Sequence, residues 1–578
     1  MTDGYLTDWP ISERFPHYTR ANAGEVMGDP VSPLGWTYGW EGAMVLGMRD
    51  GWIRGGTHEM EDFDAEHPET FGMFGGYFYL NLASCRLQGV RNPGVTVEQL
   101  DMAFFGEHPD VPPYVEHPDD VKPHLLEKIE ANTAWMMSGA DWPELDEDKA
   151  NAAALRAERG DLTSYSDAEL LERVRKIRPM LHHLFTQHVV SGSSAAAAPG
   201  ILGAIAEAIG DPSMPMKVLS ALGDVDSALP SHALWAMSRD IRADEGLTGA
   251  FDAGTDGVLD RIAALDSPAG KKLLADFDAF LEEFGSRGPN EWDIQADAWE
   301  SKPALALAAL DRVRLQGDDE SPQARHDASA ALREATTAEV RAQLEGNEEL
   351  APMFEAALTA SIMMSYRERT KSTIVRVIHE ARMAFRELGR RHAEAGDIED
   401  ADQVFMLLNS ELDDFVADPA SFKATLAQRA RDYEALWDIE PPFIIADGNL
   451  PPISDWKRRS ESESESLGDG AELAGVSGSP GVVRGTARVV LDPRDPAALE
   501  PGDILVAPHT DPSWTPLFMT AGGVVVDVGS PNSHAVIVSR ELALPCVVSV
   551  TGATETIPHG ATIEVNGDTG VVTVIEAP

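Results

Sequence analysis

A histidine at position 534 stands where a nucleophile that carries an anion would be expected. The segment Gly529–Val548 reads GSPNSHAVIVSRELALPCVV, in which a Gly-Ser-Pro-Asn turn precedes a helix. Asn532 or Ser533 can cap that helix, so His534 falls in its first turn, where the hydroxyl of Ser533 can orient the ring or a phosphate. A neutral imidazole is nucleophilic near pH 7, and a helix N-terminus stabilises an arriving phosphate. His534 is therefore predicted to carry a phosphoryl group, the alternative being that it only caps the helix.

The residues after Gly475 must position this histidine, and their pattern predicts a compact α/β domain. Short β-branched runs separated by Gly, Pro, Asp and Asn indicate strands joined by turns, and one helix is predicted from Ser533 to Leu542. The seven runs are Val482–Val483, Ala487–Val490, Ile504–Ala507, Gly523–Asp527, Val547–Val550, Thr562–Val565 and Val571–Ile575.

A polar segment precedes this domain. It contains Pro451 and Pro452, and then SESESES from Ser460 to Ser466. Such a like-charged segment cannot bury a core, so it is either an inert surface linker or a hinge. The sequence thus predicts a mostly helical domain over 1–446, an acidic, Ser-rich hinge over 447–474, and a phosphohistidine-bearing α/β domain over 475–578.

The helical prediction for the first part depends on periodicity. From Asp119 to Ala417, Ala, Leu, Glu and Arg dominate, and apolar residues recur at three- to four-residue spacing. The first 110 residues are rich in Gly, Pro and aromatic residues, which predicts turns, short elements and a helix near Trp36–Arg49. The run SGSSAAAAPG at 191–200 predicts a flexible loop, either a plain connection or a segment that closes over a ligand.

The composition excludes several classes of function. Asp and Glu number 96 against 46 Lys and Arg, a formal net charge of −50, and such a surface repels nucleic acid and anionic membranes. Two cysteines, Cys85 and Cys546, are too few for a disulfide framework or the usual zinc site, so no metal site is predicted. We expect no signal peptide, no membrane-spanning helix and a cytoplasmic location.

The C-terminal motifs resemble the phosphohistidine domain of phosphoenolpyruvate-utilising enzymes. The signature comprises Ser533-His534-Ala535, Arg540-Glu541-Leu542 and Pro545, and the stretches 477–489, 502–505 and 565–570 resemble the strands and turns of that domain. The resemblance implies a swivelling domain with His534 as its phosphohistidine. Asn532 departs from the Thr that is frequent in the family, which puts regulation through that Thr in doubt.

Shorter motifs in the helical part resemble the acceptor-binding domain of rifampicin phosphotransferases. They are Asn22-Ala-Gly-Glu25 with Pro30-Val-Ser-Pro33, Tyr77–Asn81, Gly285-Ser-Arg-Gly288 with Glu291 and Asp293, and Arg367-Glu368 with Lys371. Ser286 replaces the His of the family's Gly-His-Arg-Gly.

These motifs suggest a site for phosphoryl transfer. Arg367 and Lys371 lie one helical turn apart and share a face that can bind the phosphoryl group; a surface ladder of charges is the alternative. Arg287 can hold a phosphate while Glu291 and Asp293 accept the proton of the acceptor, or the three can form an ion-pair network that fixes a bend.

Two further sets of residues are candidates on the acceptor side. His182, His183 and His188 precede the SGSS run, and His183 can be the general base for a phenolic hydroxyl, unless it is an ordinary surface or core histidine. Four aromatic residues near the N-terminus can line a pocket for a flat apolar acceptor, with core packing as the alternative. They are Trp36, Tyr38, Phe74 and Tyr77.

Neither an ATP-grasp domain nor a phosphoenolpyruvate-binding barrel is recognisable. That arrangement resembles the multi-subunit phenylphosphate synthases and the two-component 4-methylphenyl phosphate (cresol) synthases. The resemblance implies a separate ATP-grasp subunit that binds ATP and Mg²⁺, a hetero-oligomer, and no tightly bound cofactor on this chain. The predicted function is phosphorylation of a small phenol such as 4-cresol; the alternatives are a rifamycin-type antibiotic phosphotransferase and a phosphocarrier or regulatory protein.

Overall fold

The computed structural model describes residues 4–105, 110–222, 229–318, 321–459, 466–491, 499–510, 514–529 and 533–578. Most of these residues are helical. The α-helices are α1 Ala23–Val26, α2 Val45–Gly55, α3 Leu82–Arg91, α4 Val97–Phe105, α5 Leu126–Met137, α6 Pro143–Ala157, α7 Asp167–Ala195, α8 Ala197–Ile209, α9 Met214–Val218, α10 Leu229–Ala243, α11 Glu245–Asp252, α12 Val258–Ala264, α13 Pro268–Phe284, α14 Ala304–Val313, α15 Pro322–Gln343, α16 Leu350–Ala360, α17 Ile362–Ala395, α18 Leu412–Ala417, α19 Lys423–Leu436, α20 Thr515–Thr520, α21 His534–Glu541 and α22 Ala553–Thr556.

The strands form two short sheets and one large one. They are β1 Tyr18–Thr19, β2 Phe71–Phe74, β3 Tyr77–Asn81, β4 Ile439–Glu440, β5 Ile444–Ile445, β6 Lys457–Arg458, β7 Glu472–Ala474, β8 Val476–Ser479, β9 Val482–Val489, β10 Ile504–Ala507, β11 Gly523–Val526, β12 Cys546–Val548, β13 Thr562–Asn566 and β14 Val571–Glu576. Short 3₁₀ turns lie between them, and a π-helix, Gly35–Met44, leads into α2.

The chain divides into two compact units. The first comprises Met1–Ala195, Trp292–Ala296 and Tyr366–Glu463, and the second comprises Ala196–Glu291, Asp297–Ser365 and Ser464–Pro578. The residues predicted as one helical domain over 1–446 therefore contribute to both units, and the C-terminal α/β domain shares its unit with α8–α16. The domain boundaries given above stay a prediction.

The core of the first unit forms around α2, α7 and α17. The apolar stripe predicted on α7 is buried throughout, from Leu170 and Leu171 to Leu181. Helix α2 approaches α7 closely because two glycines face it: a methyl group at Gly51 would lie 2.5 Å from Val189 Cβ. A four-stranded antiparallel sheet in the order β2-β3-β1-β5 covers this core.

The second unit contains the eight-stranded sheet, in the order β7-β14-β13-β9-β10-β11-β12-β8. The four strands β9, β10, β11 and β12 run parallel to one another, and all other pairings in this sheet are antiparallel. The carboxyl ends of these parallel strands lie at one edge, where ligands of open α/β sheets bind.

Helices of the second unit pack against this domain. Val313 of α14 belongs to the apolar cluster under β10–β12, and Trp235 of α10 packs against it. The side-chain amide of Gln316 donates a hydrogen bond to the main-chain oxygen of Met519, and His326 Nδ1 lies 3.2 Å from Glu541 Oε2.

Several predictions of local structure are confirmed. The fold class is mostly helical with a mixed sheet near the C-terminus, as predicted. Strand β3 covers Tyr77–Asn81, and β10, β11 and β14 overlap the predicted runs closely. The helix expected near Trp36–Arg49 is present as the π-helix followed by α2.

Other predictions are wrong. Residues 191–200 are not a loop but the end of α7 and the start of α8, because alanine is the strongest helix former. The runs Val482–Val483 and Ala487–Val490 are one strand, β9, and the pattern missed β7 and β8.

The segment predicted as a hinge, 447–474, contains two short strands. They are β6, which pairs with β4, and β7, which pairs with β14. Residues 460–465 of its SESESES run lie outside the described residues, and the hinge stays a prediction.

One stretch among the described residues is long and apolar enough to cross a membrane by length and composition. It covers Asp167–Ile209, and half of its most apolar window is buried inside the protein. Core helices of water-soluble proteins meet the same criterion, so this is weak evidence for a membrane span. The absence of a membrane-spanning helix and the cytoplasmic location stay predictions.

Candidate functional site

His534 is the first residue of α21, as the sequence predicts. The chain leaves β11 at Val526, and Ser533 caps the helix in an extended conformation, with φ −69° and ψ 161°. Because α21 follows the carboxyl end of a parallel strand, His534 lies at the edge of the sheet where α/β domains bind ligands. Its side chain is 8% exposed.

The imidazole of His534 is held on two sides. Nδ1 lies 3.2 Å from the hydroxyl oxygen of Thr510, a buried residue that follows β10. The ring of Phe518 meets it edge-on, with 5.6 Å between the ring centroids. These contacts fix the orientation of the ring before any ligand binds.

The hydroxyl of Ser533 forms no hydrogen bond with the described part of the protein. Its oxygen is buried and has no hydrogen-bond partner there. A buried hydroxyl without a hydrogen bond lowers the stability of the folded protein, unless a ligand supplies the missing partner. Asn532, the other predicted phosphate-orienting residue, lies outside the described residues.

Two charged groups near His534 have structural roles. Arg540 Nε donates to the Gly478 main-chain oxygen at 3.0 Å, which ties α21 to β8, and burial lowers its pKa to about 10. Asp527 follows β11 and accepts hydrogen bonds from the main-chain nitrogen and the hydroxyl of Thr554. Burial raises the pKa of Asp527 to about 7. Sequence analysis missed Asp527, although a carboxylate directly after a buried strand is a usable signal.

Arg367 and Lys371 lie on α17 in the first unit. Arg367 Nη1 pairs with Glu368 Oε1 at 2.7 Å, and the Arg367 side chain is 22% exposed. Lys371 is half-buried, and within the described part of the chain its ammonium makes no hydrogen bond or ion pair. The predicted pair therefore supplies positive charge that the protein balances only in part.

His188 of α7 faces these two cations, and sequence analysis did not select it. Its Nδ1 lies 2.9 Å from the hydroxyl oxygen of Thr370, which is 3.1 Å from the hydroxyl oxygen of Ser191. Removal from water, and then the charges of Arg367 and Lys371, lower the pKa of His188 to about 3. The ring is neutral at physiological pH and half-buried.

Periodicity contains the signal that distinguishes His188 from its neighbours. His188 follows Leu181 by seven residues and Leu184 by four, so it continues the buried stripe of α7. The predicted base, His183, is off that stripe: its side chain is 53% exposed, and its Nε2 lies 2.9 Å from Asp148 Oδ1. That hydrogen bond raises the pKa of His183.

The predicted Arg287, Glu291 and Asp293 are held by protein groups. Arg287 Nη1 and Glu291 Oε1 form a buried ion pair at 3.1 Å in the second unit. In the first unit, Asp293 accepts hydrogen bonds from the main-chain nitrogen and the hydroxyl of Ser32 at 2.8 and 2.7 Å, and burial raises its pKa. The arrangement fits the structural alternative better than a phosphate-binding role, which stays a prediction.

The four aromatic residues proposed for the acceptor pocket are all buried. Tyr38 donates its hydroxyl to the Val174 main-chain oxygen at 2.7 Å, and Tyr77 donates to the Leu436 main-chain oxygen at 2.6 Å. Their burial fits the core-packing alternative, and contact with an acceptor stays a prediction. The residues are Trp36, Tyr38, Phe74 and Tyr77.

Comparisons with known proteins agree with the chemistry of this arrangement. Residues 185–368 match the family model of the rifampicin phosphotransferase fourth domain, and residues 499–570 match that of the PEP-utilising enzyme mobile domain. His188 and Arg367 lie in the first match, and His534 lies in the second.

Curated relatives extend the similarity. A rifampicin phosphotransferase of Streptomyces sviceus is 32% identical over 371 residues, which are 62% of this chain and 40% of the relative. A prodigiosin-synthesising transferase of Serratia marcescens is 33% identical over 314 residues, 52% of this chain and 33% of the relative. An uncharacterised protein of Mycobacterium tuberculosis is 40% identical over 220 residues, 38% of this chain and 24% of the relative.

The chain spans well under half the length of these relatives. The matches confirm the resemblance to phosphoenolpyruvate-utilising enzymes, and they support a phosphotransferase of that type.

Proposed function

We propose that this chain relays a phosphoryl group through His534 to the hydroxyl of a small phenolic acceptor such as 4-cresol or phenol. The observation that carries the proposal is the setting of His534. A nucleophilic ring, held at Nδ1, begins a helix beside a buried hydroxyl without a partner in the described protein. Similarity of this segment to the mobile domain of PEP-utilising enzymes supports the same role.

The contacts of His534 support one of its two ring nitrogens as the reacting atom. With Nδ1 bonded to Thr510, the nitrogen that forms the N–P bond is Nε2. The first-turn N–H groups of α21 and the hydroxyl of Ser533 can then donate to the phosphoryl oxygens. Phosphoryl transfer depends mainly on positioning and on charge stabilisation, which these groups supply.

Arg367 and Lys371 are the groups we assign to the acceptor side. Both lie on one face of α17, and Lys371 has no counter-ion within the described chain. Positive charge at the equatorial oxygens stabilises the transferring group, while the acceptor oxygen attacks in line.

The phosphoryl donor is ATP on a separate ATP-grasp subunit, where Mg²⁺ also binds. The resemblance to the multi-subunit phenylphosphate synthases and the two-component 4-methylphenyl phosphate synthases supports this donor. The assembly that we propose is accordingly a hetero-oligomer.

A rifamycin-type hydroxyl is the second candidate acceptor. The match of residues 185–368 to the fourth domain of rifampicin phosphotransferase favours it specifically. In the third possibility, a phosphocarrier, phospho-His534 serves only a partner protein.

Chemical phosphorylation can test the relay without the donor subunit. The full chain is treated with phosphoramidate, freed of reagent, and mixed with 4-cresol, rifampicin or buffer, while ³¹P NMR follows phosphohistidine and phosphate ester. We expect phosphohistidine in the wild type and in His559→Ala, an exposed histidine of the same domain, but not in His534→Ala. Aryl phosphate should form with 4-cresol.

Each acceptor hypothesis has its own contrary result. Ester formed from rifampicin alone would replace the phenol by the antibiotic, and phosphohistidine stable to both would favour the phosphocarrier. Phosphohistidine in His534→Ala at the wild-type level would refute the relay. Aryl phosphate made by this chain from ATP alone would refute the separate donor subunit.

A further inference from the structure

The hydrogen bonds around His188 define which of its ring nitrogens carries the proton. Thr370 donates its hydroxyl proton to the Arg367 main-chain oxygen at 2.8 Å. Ser191 donates to the His188 main-chain oxygen at 2.9 Å. These directions favour the Thr370 oxygen as the acceptor in its contact with His188, and the His188 ring also forms a hydrogen bond with the Arg367 main-chain group. We therefore assign the hydrogen to Nδ1 and the lone pair to Nε2.

The surroundings of this imidazole combine apolar walls with positive charge. The rings of Phe185 and Trp292 lie 5.8 and 5.9 Å from the His188 ring. Two cations of α17, Arg367 and Lys371, face it, and no carboxylate is among the groups that act on its charge. A half-buried lone pair beside two cations, whose charge the described residues balance only in part, suits the deprotonation of an acceptor next to a bound anion.

We propose that His188 Nε2 removes the proton of the acceptor hydroxyl during phosphoryl transfer, an inference that rests on the proposed function. The acceptor oxygen forms the O–P bond as the N–P bond to His534 breaks, and the electron pair of that bond returns to the His534 ring. The hydroxyl proton moves to His188 Nε2 and is later released to water. His188, rather than His183, is then the general base.

Charge couples this base to the arrival of the phosphoryl group. Removal from water, and then the charges of Arg367 and Lys371, hold the pKa of His188 down. A phosphoryl group bound at the two cations offsets their charge, so the pKa of His188 rises when the transferring group is present. The base is strongest at the step that needs it.

Two phenols of different acidity can show whether His188 acts as a base or has only a structural role. The full chain carrying phospho-His534 is mixed either with 4-cresol or with 4-nitrophenol, which is largely ionised in mildly alkaline buffer. His188→Asn keeps a donor near Thr370 and removes Nε2. We expect phospho-His534 to form normally, transfer to 4-cresol to slow about 10²- to 10³-fold, and transfer to 4-nitrophenol to stay near wild type.

The matched control is His182→Asn, on the same helix, where the ring pairs with Asp50 at 2.8 Å. It should transfer to both phenols at wild-type rates. Equal losses with the two phenols in His188→Asn, or no loss with 4-cresol, would overturn the base.

A second measurement decides on His188 even if no phenol is an acceptor. NMR titration of isotope-labelled histidine, assigned with His188→Asn, gives the pKa of His188 with and without inorganic phosphate. Phosphate should raise that pKa by about 1, and so should Lys371→Met without phosphate. A pKa that neither change moves would overturn the inference. Phospho-His534 that transfers to neither phenol would refute the proposed function instead.

Discussion

His534 in the second unit and His188 in the first both contact a threonine hydroxyl through Nδ1, at 3.2 and 2.9 Å. Their other neighbours differ. His534 begins a helix, beside the buried hydroxyl of Ser533, whereas His188 lies within a long helix and faces two cations. In the function that we propose, the same anchoring of the ring would serve two tasks: an N-terminal setting suits a ring that bears an anion, and a cationic setting suits a ring that remains neutral beside one.

The largest expected effect comes from removing the charge that distinguishes His188's surroundings. The double variant Arg367→Met and Lys371→Met should slow transfer from phospho-His534 to 4-cresol about 10³-fold or more, because no cation then stabilises the transferring group. Phosphorylation of His534 by phosphoramidate should not change. Arg369→Met is the control, since Arg369 lies on the same helix, α17, but pairs with Asp146 of α6.

Replacing Thr370 or Thr510 by valine should remove the hydroxyl that contacts Nδ1 of His188 or of His534. Thr370→Val should slow transfer to 4-cresol about tenfold, and Thr510→Val should slow phosphorylation of His534 about tenfold, since each loses roughly 1 kcal/mol of orientation. Quenched-flow assays of the two steps measure both. If each variant affected both steps equally, the assignment of the two rings to separate steps would fail.

Ser533→Ala should have opposite effects on the phosphorylation of His534 and on the stability of the fold. Phosphorylation of His534 should slow several-fold, while urea denaturation should show unchanged or greater stability, by up to about 1 kcal/mol, because the variant removes a buried hydroxyl that has no partner among the described residues. Reduced stability with a normal rate would mean that Ser533 has a structural role instead. Ser539→Ala, at another buried serine of α21, is the control for the rate and should leave phosphorylation of His534 unchanged.

The smallest effect concerns the strand that leads to His534. The pKa of Asp527 is raised from 3.8 to about 7 in the folded protein, so the folded state holds this proton more tightly. Its contribution to stability is complete below about pH 4 and is lost as the pH rises through 7. Asp527→Asn should therefore gain about 1 kcal/mol relative to wild type above pH 8 and nothing near pH 4. An identical gain at both pH values would contradict the raised pKa.

Local patterns were sufficient for the parts of the molecule in which chain neighbours decide the structure. The apolar stripe Leu170–Leu181 on α7, the strand Ile504–Ala507 and the start of α21 at His534 follow from periodicity and capping. Each depends on residues within a few positions along the chain.

The failures involve partners that are distant in sequence. Strand β8 contains Gly478 and two serines and is a strand because it pairs with β12, about 70 residues later. The sequence did not distinguish His188 from His183 as a candidate base. The surroundings that set His188 apart come from Thr370 and Lys371, which lie on another helix. For Arg287 and Asp293 the sequence left two roles open, a ligand site and an ion-pair network. The contacts with Glu291 and Ser32 fit the second role, and the contact with Ser32 joins residues far apart in the chain.

The contact of Val313, Trp235 and Gln316 with the C-terminal domain has a practical consequence for handling the protein. A fragment limited to residues 466–578 would present to water the apolar surface that Val313 and Trp235 cover in the whole chain. It would also leave the Met519 main-chain oxygen without the amide of Gln316. Such a fragment should self-associate or require detergent, so labelling of His534 belongs in the intact chain.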